Sequence, residues 1–410
     1  MPLQVRLCSN RVPGTTCTVD EARLRLLNAV SPLNDSETLT LDDGLGRVLA
    51  TSIAAAVSSP PADNSAMDGY ALSAEELAQA GGELPLSARI HAGDAPSPLV
   101  SGSAARIFTG GEIPPGADAV VMQENCVEHD GKLRVNGPFS AGQNIRRAGE
   151  DFPAGAEIMH AGRRLQPQDL GLIASGGIDR IEVVRRPRIS VLTTGNELIA
   201  PGVARRAGQI YNSNGPVVCA LLKQLGCVVL PARKIGDTLD ATRQALIDAA
   251  AESDLVISTG GVSVGESDFV RKALEDIGQL DFWRIAVRPG KPLAFGSVRG
   301  TPIIGLPGNP VAVFVTFGLF VAPAIRKLQG RRVPIPEPIQ LPAAFSRPET
   351  AHEEYLRVRV EDGRLTLYPH QGSGVLSSVV WADGLARIRA DQGAAEGRML
   401  DFFHFDTLLK

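Results

Sequence analysis

Three short stretches combine glycine with groups that hold oxygen-rich ligands: Thr194-Gly195-Asn196-Glu197, Thr259-Gly260-Gly261-Val262-Ser263-Val264-Gly265-Glu266-Ser267-Asp268, and Leu306-Pro307-Gly308-Asn309-Pro310. Each follows a short run of branched apolar residues, so each reads as the turn leaving the carboxyl end of a strand. In open α/β sheets, ligands bind just beyond those ends. Glycine there lets backbone N–H groups approach a phosphate, and helix N-termini add a positive dipole. One such loop is usually a plain tight turn. Three on one sheet favour an anionic-ligand cleft.

Carboxylates accompany the loops: Glu197, Asp237 in KIGDT, and Asp268. Acids beside phosphate-binding glycines fit a Mg²⁺ bridge, because hard oxygen ligands hold that ion to phosphates. Taken singly, each acid reads equally well as an N-cap or a solvated charge. Further on, Arg284, Arg288 and Lys291 surround Pro289-Gly290. Cations on a backbone whose direction is fixed by Pro-Gly suit an oxyanion, and the plainer alternative is a solvated strand face. Upstream, SAMDGYAL places Asp68 in a proline-rich loop, where a buried carboxylate is expected. Arg146-Arg147 before Glu150-Asp151 reads either as a surface ion-pair cluster or as the polar wall of a site.

Gly261 to Gly265 also matches the GxSxG nucleophile elbow, with Ser263 as the attacking group. That reading predicts a hydrolase with a late histidine base, yet His352, His370 and His404 all lie in the tail. GxGxxG and GxxxxGK[ST] are both absent, which counts against a dinucleotide fingerprint and a Walker-type ATPase.

Strands and helices alternate from Arg186 onward, which predicts a largely parallel, doubly wound sheet over 186–332. Residues 20–54 read as helical, with a polar break before LDDGLGRVLA. Short apolar runs between Gly and Pro suggest a β-rich module over 55–153. The segment 154–185 looks like a helix with a glycine stop. Beyond the proline-rich RRVPIPEPIQLP, alternating segments such as EYLRVRVEDGRLTLYP predict a small antiparallel β-domain over 333–410. From Gly300 to Ile325 there is no charge. Its continuous apolar part, Val311 to Ala324, falls short of the ~20 residues a membrane span needs and reads as a buried core helix.

Composition bounds the partners. The 410 residues carry 41 Lys plus Arg against 45 Asp plus Glu, a net charge of -4, which argues against a nucleic-acid binder relying on a broad basic field. Five cysteines (Cys8, Cys17, Cys126, Cys219 and Cys227) form no CxxC pair, and the six histidines form no HxxxH or HExxH. Neither a zinc ribbon nor a disulfide framework is expected, and a reducing, cytoplasmic setting is. The 43 glycines and 29 prolines exceed the usual combined share of about 12%. Many of them fall in the loops above.

Read in order, SAMDGYA, FTGGEIPPGADAVV, GQNIRRAGED, TTGNEL, NSNGP, STGGVSVGESDF, PGKPLAFG and GLPGNPVAVF closely resemble the molybdopterin molybdenumtransferase family. This is the MoeA type, also found as the E domain of gephyrin. The resemblance runs from about residue 20 to the C-terminus. It implies a multidomain α/β and β protein in four parts: a segmented elongated domain (1–54 and 154–185), a β-rich insert (55–153), a molybdopterin-binding-like α/β domain (186–332) and a β-barrel-like tail (333–410). It also implies a homodimer with a cleft shared between subunits, an upstream molybdopterin adenylyltransferase as partner, and neither nucleic acid nor membrane.

The family's reaction inserts molybdate into adenylylated molybdopterin with release of AMP. Carried over by motif, Asp68, Thr109 and Asp151 fall on polar cleft positions of the β-rich domain. Glu197, Asp237 and Asp268 fall on the acidic positions expected to hold Mg²⁺. The resemblance further assigns Ser263, Arg284, Arg288, Lys291, Arg357 and Ser373 to substrate, the last two in EYLRVRV and HQGSGVL. Asn196 stands where many members carry aspartate, and Arg284 and Arg288 where lysine is common. Arginine keeps the charge but presents a planar fork. The alternatives are an adenylyltransferase that activates molybdopterin with ATP, and a non-catalytic scaffold.

Overall fold

The computed structural model describes residues 17–262 and 269–410, so Ser263 and Asp268 lie outside the described residues. The chain divides into two compact units, Thr38–Val183 and the remainder. Each is described by itself.

In the larger unit, seven strands form one sheet: β1 (Arg188–Thr194), β2 (Val228–Val229), β3 (Arg233–Ile235), β4 (Leu255–Thr259), β5 (Gln279–Trp283), β6 (Ala294–Val298) and β7 (Thr301–Leu306). The spatial order is β2-β1-β4-β7-β6-β5, with β3 also on β1. β1, β4 and β7 run parallel, and β6 and β5 complete the sheet antiparallel. β4 is buried along its whole length, as a strand covered on both faces requires. The three glycine stretches therefore leave three neighbouring strands at the same edge.

Local signals set the helices between the strands. Thr238 caps Leu239–Glu252 by accepting the Ala241 N–H, and Gly226 follows Asn214–Gln224 at φ +83°. From Pro310 the uncharged stretch enters one helix, Pro310–Leu328, longer than expected from the sequence. A π-turn at Phe317–Val321 carries it past Pro323, whose missing N–H and ring disfavour a regular α-turn. By length and composition this helix is apolar enough to cross a membrane, and it is almost wholly buried in the core. Near its end the buried Arg326 donates to the carbonyls of Thr407, Leu408 and Lys410 at 2.8–3.0 Å, tying the last residues to the core.

The tail sheet grows directly from the basic stretch. Val287–Arg288 pairs in parallel with Glu353–Glu354, and Glu353–Glu361, Gly384–Ile388, Met399–His404 and Ile339–Pro342 follow. Arg364–Leu367 returns against Glu353–Glu361 through Asp362 and Gly363, both at positive φ as a two-residue hairpin turn requires.

The unit Thr38–Val183 holds a second six-stranded sheet, mostly antiparallel, with one parallel pair between Glu83–Ile90 and Ala104–Ile107. A separate core of Leu49, Ile53, Leu165, Ile173 and Val183 sits beneath helix Pro167–Ser175, which ends at Gly176 as the sequence predicts. The helical reading of 20–54 holds only for Val19–Ala29, which a Thr18/Glu21 capping box starts. LDDGLGRVLA is instead one short 3₁₀ turn at Leu41–Gly44 followed by isolated bridges at Val48 and Leu49. Gly46 at φ +73° breaks the helix, and the Leu49 N–H is taken by Arg163 O at 3.0 Å.

Among the described residues Cys17, Cys126, Cys219 and Cys227 form no disulfide. Burial pushes the thiol of Cys227 up to about 12 and that of Cys126 up to about 11, as expected for inert, packed thiols.

Candidate functional site

Two adjoining cavities of the larger unit collect five of the candidate residues, Glu197, Asp237, Arg288, Lys291 and Ser373. The first, about 530 Å³, lies at the carboxyl ends of β1, β4 and β7. At three of its glycines nothing larger fits. At Gly260 (φ +83°) a Cβ would sit 2.8 Å from Thr194 Oγ1, and at Gly261 (φ +69°) 2.9 Å from Val270 Cγ2. Glu197 folds back over Gly195, its carboxylate 2.7 Å from where a Cβ would project. Asp237 Oδ2 accepts the Asn196 N–H at 2.7 Å, fastening the two acidic loops to each other. Glu197 and Asp237 both line this cavity.

On its inner wall are two polar side chains that sequence reasoning did not single out. Asn214 and Thr259 are more than nine-tenths buried, and Asn214 Oδ1 and Thr259 Oγ1 have no partner. NSNGP held the only hint, an amide at the start of a helix that leaves the sheet edge.

The second cavity, about 790 Å³, shares Pro292 and Gly308 with the first. Arg288, Lys291, Asn309, His352 and Ser373 line it. Ser373 is placed from the α/β side, where Asn309 Nδ2 donates to its Oγ at 3.0 Å and its carbonyl accepts the Val311 N–H at 3.0 Å. Gly290, at φ +117°, packs so tightly on the long helix that a Cβ would lie 2.4 Å from Thr316 Cγ2. That contact fixes the loop bearing Arg288 and Lys291. His352 adds a buried Nδ1 without a partner, which the sequence reading left aside.

Arg357 stands behind this cavity. It is buried, with Nε donating to Ser378 Oγ at 3.0 Å and Nη2 to Gly372 O at 3.1 Å, so it braces the loop that carries Ser373. Burial, followed by the neighbouring Arg347, lowers its guanidinium to about 10, still charged at neutral pH. The buried Glu354 supplies the counter-charge, 3.0 Å from Arg347 and 3.4 Å from Arg288. Arg284 lines neither cavity. Its backbone is left-handed (φ +85°), and its N–H reaches Leu293 O at 3.3 Å.

In the unit Thr38–Val183, Asp68 is exposed rather than buried. One oxygen accepts both the backbone N–H and the hydroxyl of Thr109 at 2.8 Å, and these bonds hold its carboxyl below the usual range. Asp151 is also exposed, its N–H on Ser59 O at 3.0 Å. Arg147 pairs with Asp63 at 2.6 Å, and its N–H reaches Glu150 at 3.0 Å, so the double-arginine stretch forms a local ion-pair cluster.

No group of three or more metal-capable side chains occurs among the described residues. Mg²⁺ needs no such cage, because one or two carboxylates with substrate phosphates and water suffice. Glu197 and Asp237 on one cavity wall meet that requirement.

A doubly wound α/β sheet with acidic glycine loops, continuous with a β tail that closes a basic pocket, defines a multidomain α/β protein with an acidic and a basic cavity side by side. Three family descriptions match consecutive stretches: "MoeA N-terminal region (domain I and II)" over 17–177, "Probable molybdopterin binding domain" over 190–327, and "MoeA C-terminal region (domain IV)" over 340–405. A molybdopterin molybdenumtransferase of Haemophilus influenzae is 41% identical, over 77% of this chain and 78% of that protein. Molybdopterin molybdenumtransferase 2 of Mycobacterium tuberculosis is 36% identical over 73% and 76%. The crystal structure of a molybdopterin biosynthesis moeA protein from Pyrococcus horikoshii superimposes with a TM-score of 0.83 at 28% identity, covering 95% of this chain and 99% of that one. The chain belongs to the molybdopterin molybdenumtransferase family, and its fold class is the one its motifs imply.

Proposed function

We propose that this chain completes molybdenum cofactor synthesis by inserting molybdate into adenylylated molybdopterin, cleaving the phosphoanhydride and releasing AMP. The observation that carries the reading is the adjacency of an acidic glycine cavity and a basic one across Pro292 and Gly308. Glu197, folded over Gly195, and Asp237, held by the Asn196 N–H, bind on the phosphoanhydride side. Mg²⁺ held by these carboxylates, together with Asp268, would neutralise charge on the phosphoanhydride oxygens. Arg288, Lys291 and Ser373 hold molybdate, and Arg357 keeps Ser373 in place from behind. Ser263 and Arg284 serve the same substrates. Because the chemistry is mostly positioning and charge stabilisation, no covalent nucleophile is required.

We further propose that the enzyme is a cytoplasmic homodimer. Asp68, Thr109 and Asp151 of a second copy complete the site, and a molybdopterin adenylyltransferase supplies the substrate. The exposure of Asp68, already oriented by Thr109, supports such a role. The test is AMP release from adenylylated molybdopterin with and without molybdate and Mg²⁺. Release that needs both supports the reading. ATP consumption without molybdate would point to the adenylyltransferase step instead.

A further inference from the structure

A third cavity, about 200 Å³, opens on the tail sheet and shares no residue with the other two. Its charged lining is Arg387, Arg389, Arg398 and Asp401, three cations against one acid in a chain of net charge -4. Strand register brings them together. Asp401 of Met399–His404 stands directly between Gln340 of Ile339–Pro342 and Arg387 of Gly384–Ile388. Side chains alternate along a strand, so Arg389, two residues on, continues the face of Arg387.

The single carboxylate is already in use. Asp401 Oδ2 accepts from Arg387 Nε at 2.8 Å and from its Nη2, and Oδ1 accepts from the Gln340 amide. The Arg387 side chain is only 9% exposed, so this pair forms a fixed floor. Arg389 differs. Its side chain is 57% exposed, and its one partner among the described residues is Asp401 at 3.5 Å, beyond good hydrogen-bond range. Arg398 is held in place, with Nη1 donating to Gly393 O at 2.5 Å and Nη2 to Gln392 Oε1 at 2.7 Å. Arginine only donates, so the second bond fixes the Gln392 amide and leaves its N–H groups for another acceptor. Gln392 lines the cavity too. The wall above the floor is therefore built of donors.

Size narrows the ligand. Sites for drug-sized molecules begin near ~300 Å³, so this cavity is too small for a nucleoside or a fused ring and has room for one small anion. Guanidinium forks match the oxygens of a phosphate.

We infer that this cavity binds one free tetrahedral dianion of the phosphate class, held by Arg389, Arg398 and the Gln392 amide above the Arg387–Asp401 pair. The site lies outside both cavities assigned to the proposed reaction and does not depend on that reading.

The test is deuterium exchange on the full chain, titrated with inorganic phosphate and, to account for screening, with sodium chloride at matched ionic strength. Phosphate is expected to slow exchange in Gly384–Ile388 and Met399–His404, and chloride to leave it unchanged. The phosphate concentration giving half of that protection should rise about tenfold in Arg389→Gln, the worth of one charge-assisted hydrogen bond. Arg398→Gln should raise it similarly, and Lys291→Met, in the second cavity, should not move it. AMP should protect these strands no better than phosphate. Should Arg398→Gln disturb the fold by losing its two bonds, Arg389→Gln decides, since Arg389 has no hydrogen bond to lose. Unslowed strands, equal slowing by chloride, or protection indifferent to Arg389→Gln overturns the inference. Tighter protection by AMP would make the ligand a nucleotide and overturn the assignment to a free anion.

Discussion

The two cavities share a wall and differ in sign. Glu197 and Asp237 are the charged side chains on the first, while Arg288 and Lys291 face the second with Glu354 buried behind them. An acidic wall attracts a phosphate only through a bridging cation, whereas a basic pocket holds an oxyanion unaided. Two dianions can thus be kept in adjacent places without one displacing the other.

The largest effect is expected from the hidden counter-charge of the basic side. Glu354→Gln leaves Arg347 and the buried Arg357 without their acid and should cost about 3–5 kcal/mol, read as a fall in the urea midpoint. An unchanged midpoint would mean the cluster is balanced elsewhere. Next comes Gly290→Ala. A methyl group 2.4 Å from Thr316 Cγ2 must displace the loop that carries Arg288 and Lys291, and turnover should drop about 100-fold. The equivalent contact does not exist at Gly171, which lines neither cavity and where a Cβ meets nothing within 4 Å, so Gly171→Ala serves as the control.

The smallest effect concerns an ion pair outside both cavities. Burial raises the Asp254 carboxyl, but the two bonds from Arg185 (2.7 and 2.8 Å) and the Arg188 N–H outweigh it, and the net shift is downward. A depressed folded pKa means that the stabilisation is present above the unfolded value near 3.9 and is lost as pH falls through the folded value. Wild type should therefore exceed Asp254→Asn in stability at neutral pH. The gap should close in acid, measured by unfolding midpoints across pH, while molybdate affinity stays unchanged.

Much of this was legible in the sequence. Strand, turn glycine and acid lie consecutively in TTGNEL, strand and turn glycine in STGG, and helix signals such as Thr238 act locally, so periodicity and caps suffice for the α/β unit. The basic pocket was half legible. Arg288 and Lys291 announced themselves, but Arg357's bracing role and His352's place depend on the tail strand Glu353–Glu361 pairing with Val287–Arg288. That pairing joins residues more than sixty positions apart. LDDGLGRVLA misled because its helical spacing is overruled by a long-range bond to Arg163. Asp68 misled because a carboxylate between apolar neighbours suggested burial, whereas Thr109 satisfies it at the surface. Asn214 stayed hidden because a missing partner leaves no trace in sequence.

The division of labour between the cavities is tested most directly by titrating AMP release against Mg²⁺ and against molybdate, for wild type, Asp237→Asn and Lys291→Met. The account predicts that Asp237→Asn raises the Mg²⁺ requirement and leaves the molybdate KM in place. Lys291→Met should raise the molybdate KM and leave the Mg²⁺ requirement in place. Movement of both titrations in both variants would contradict it.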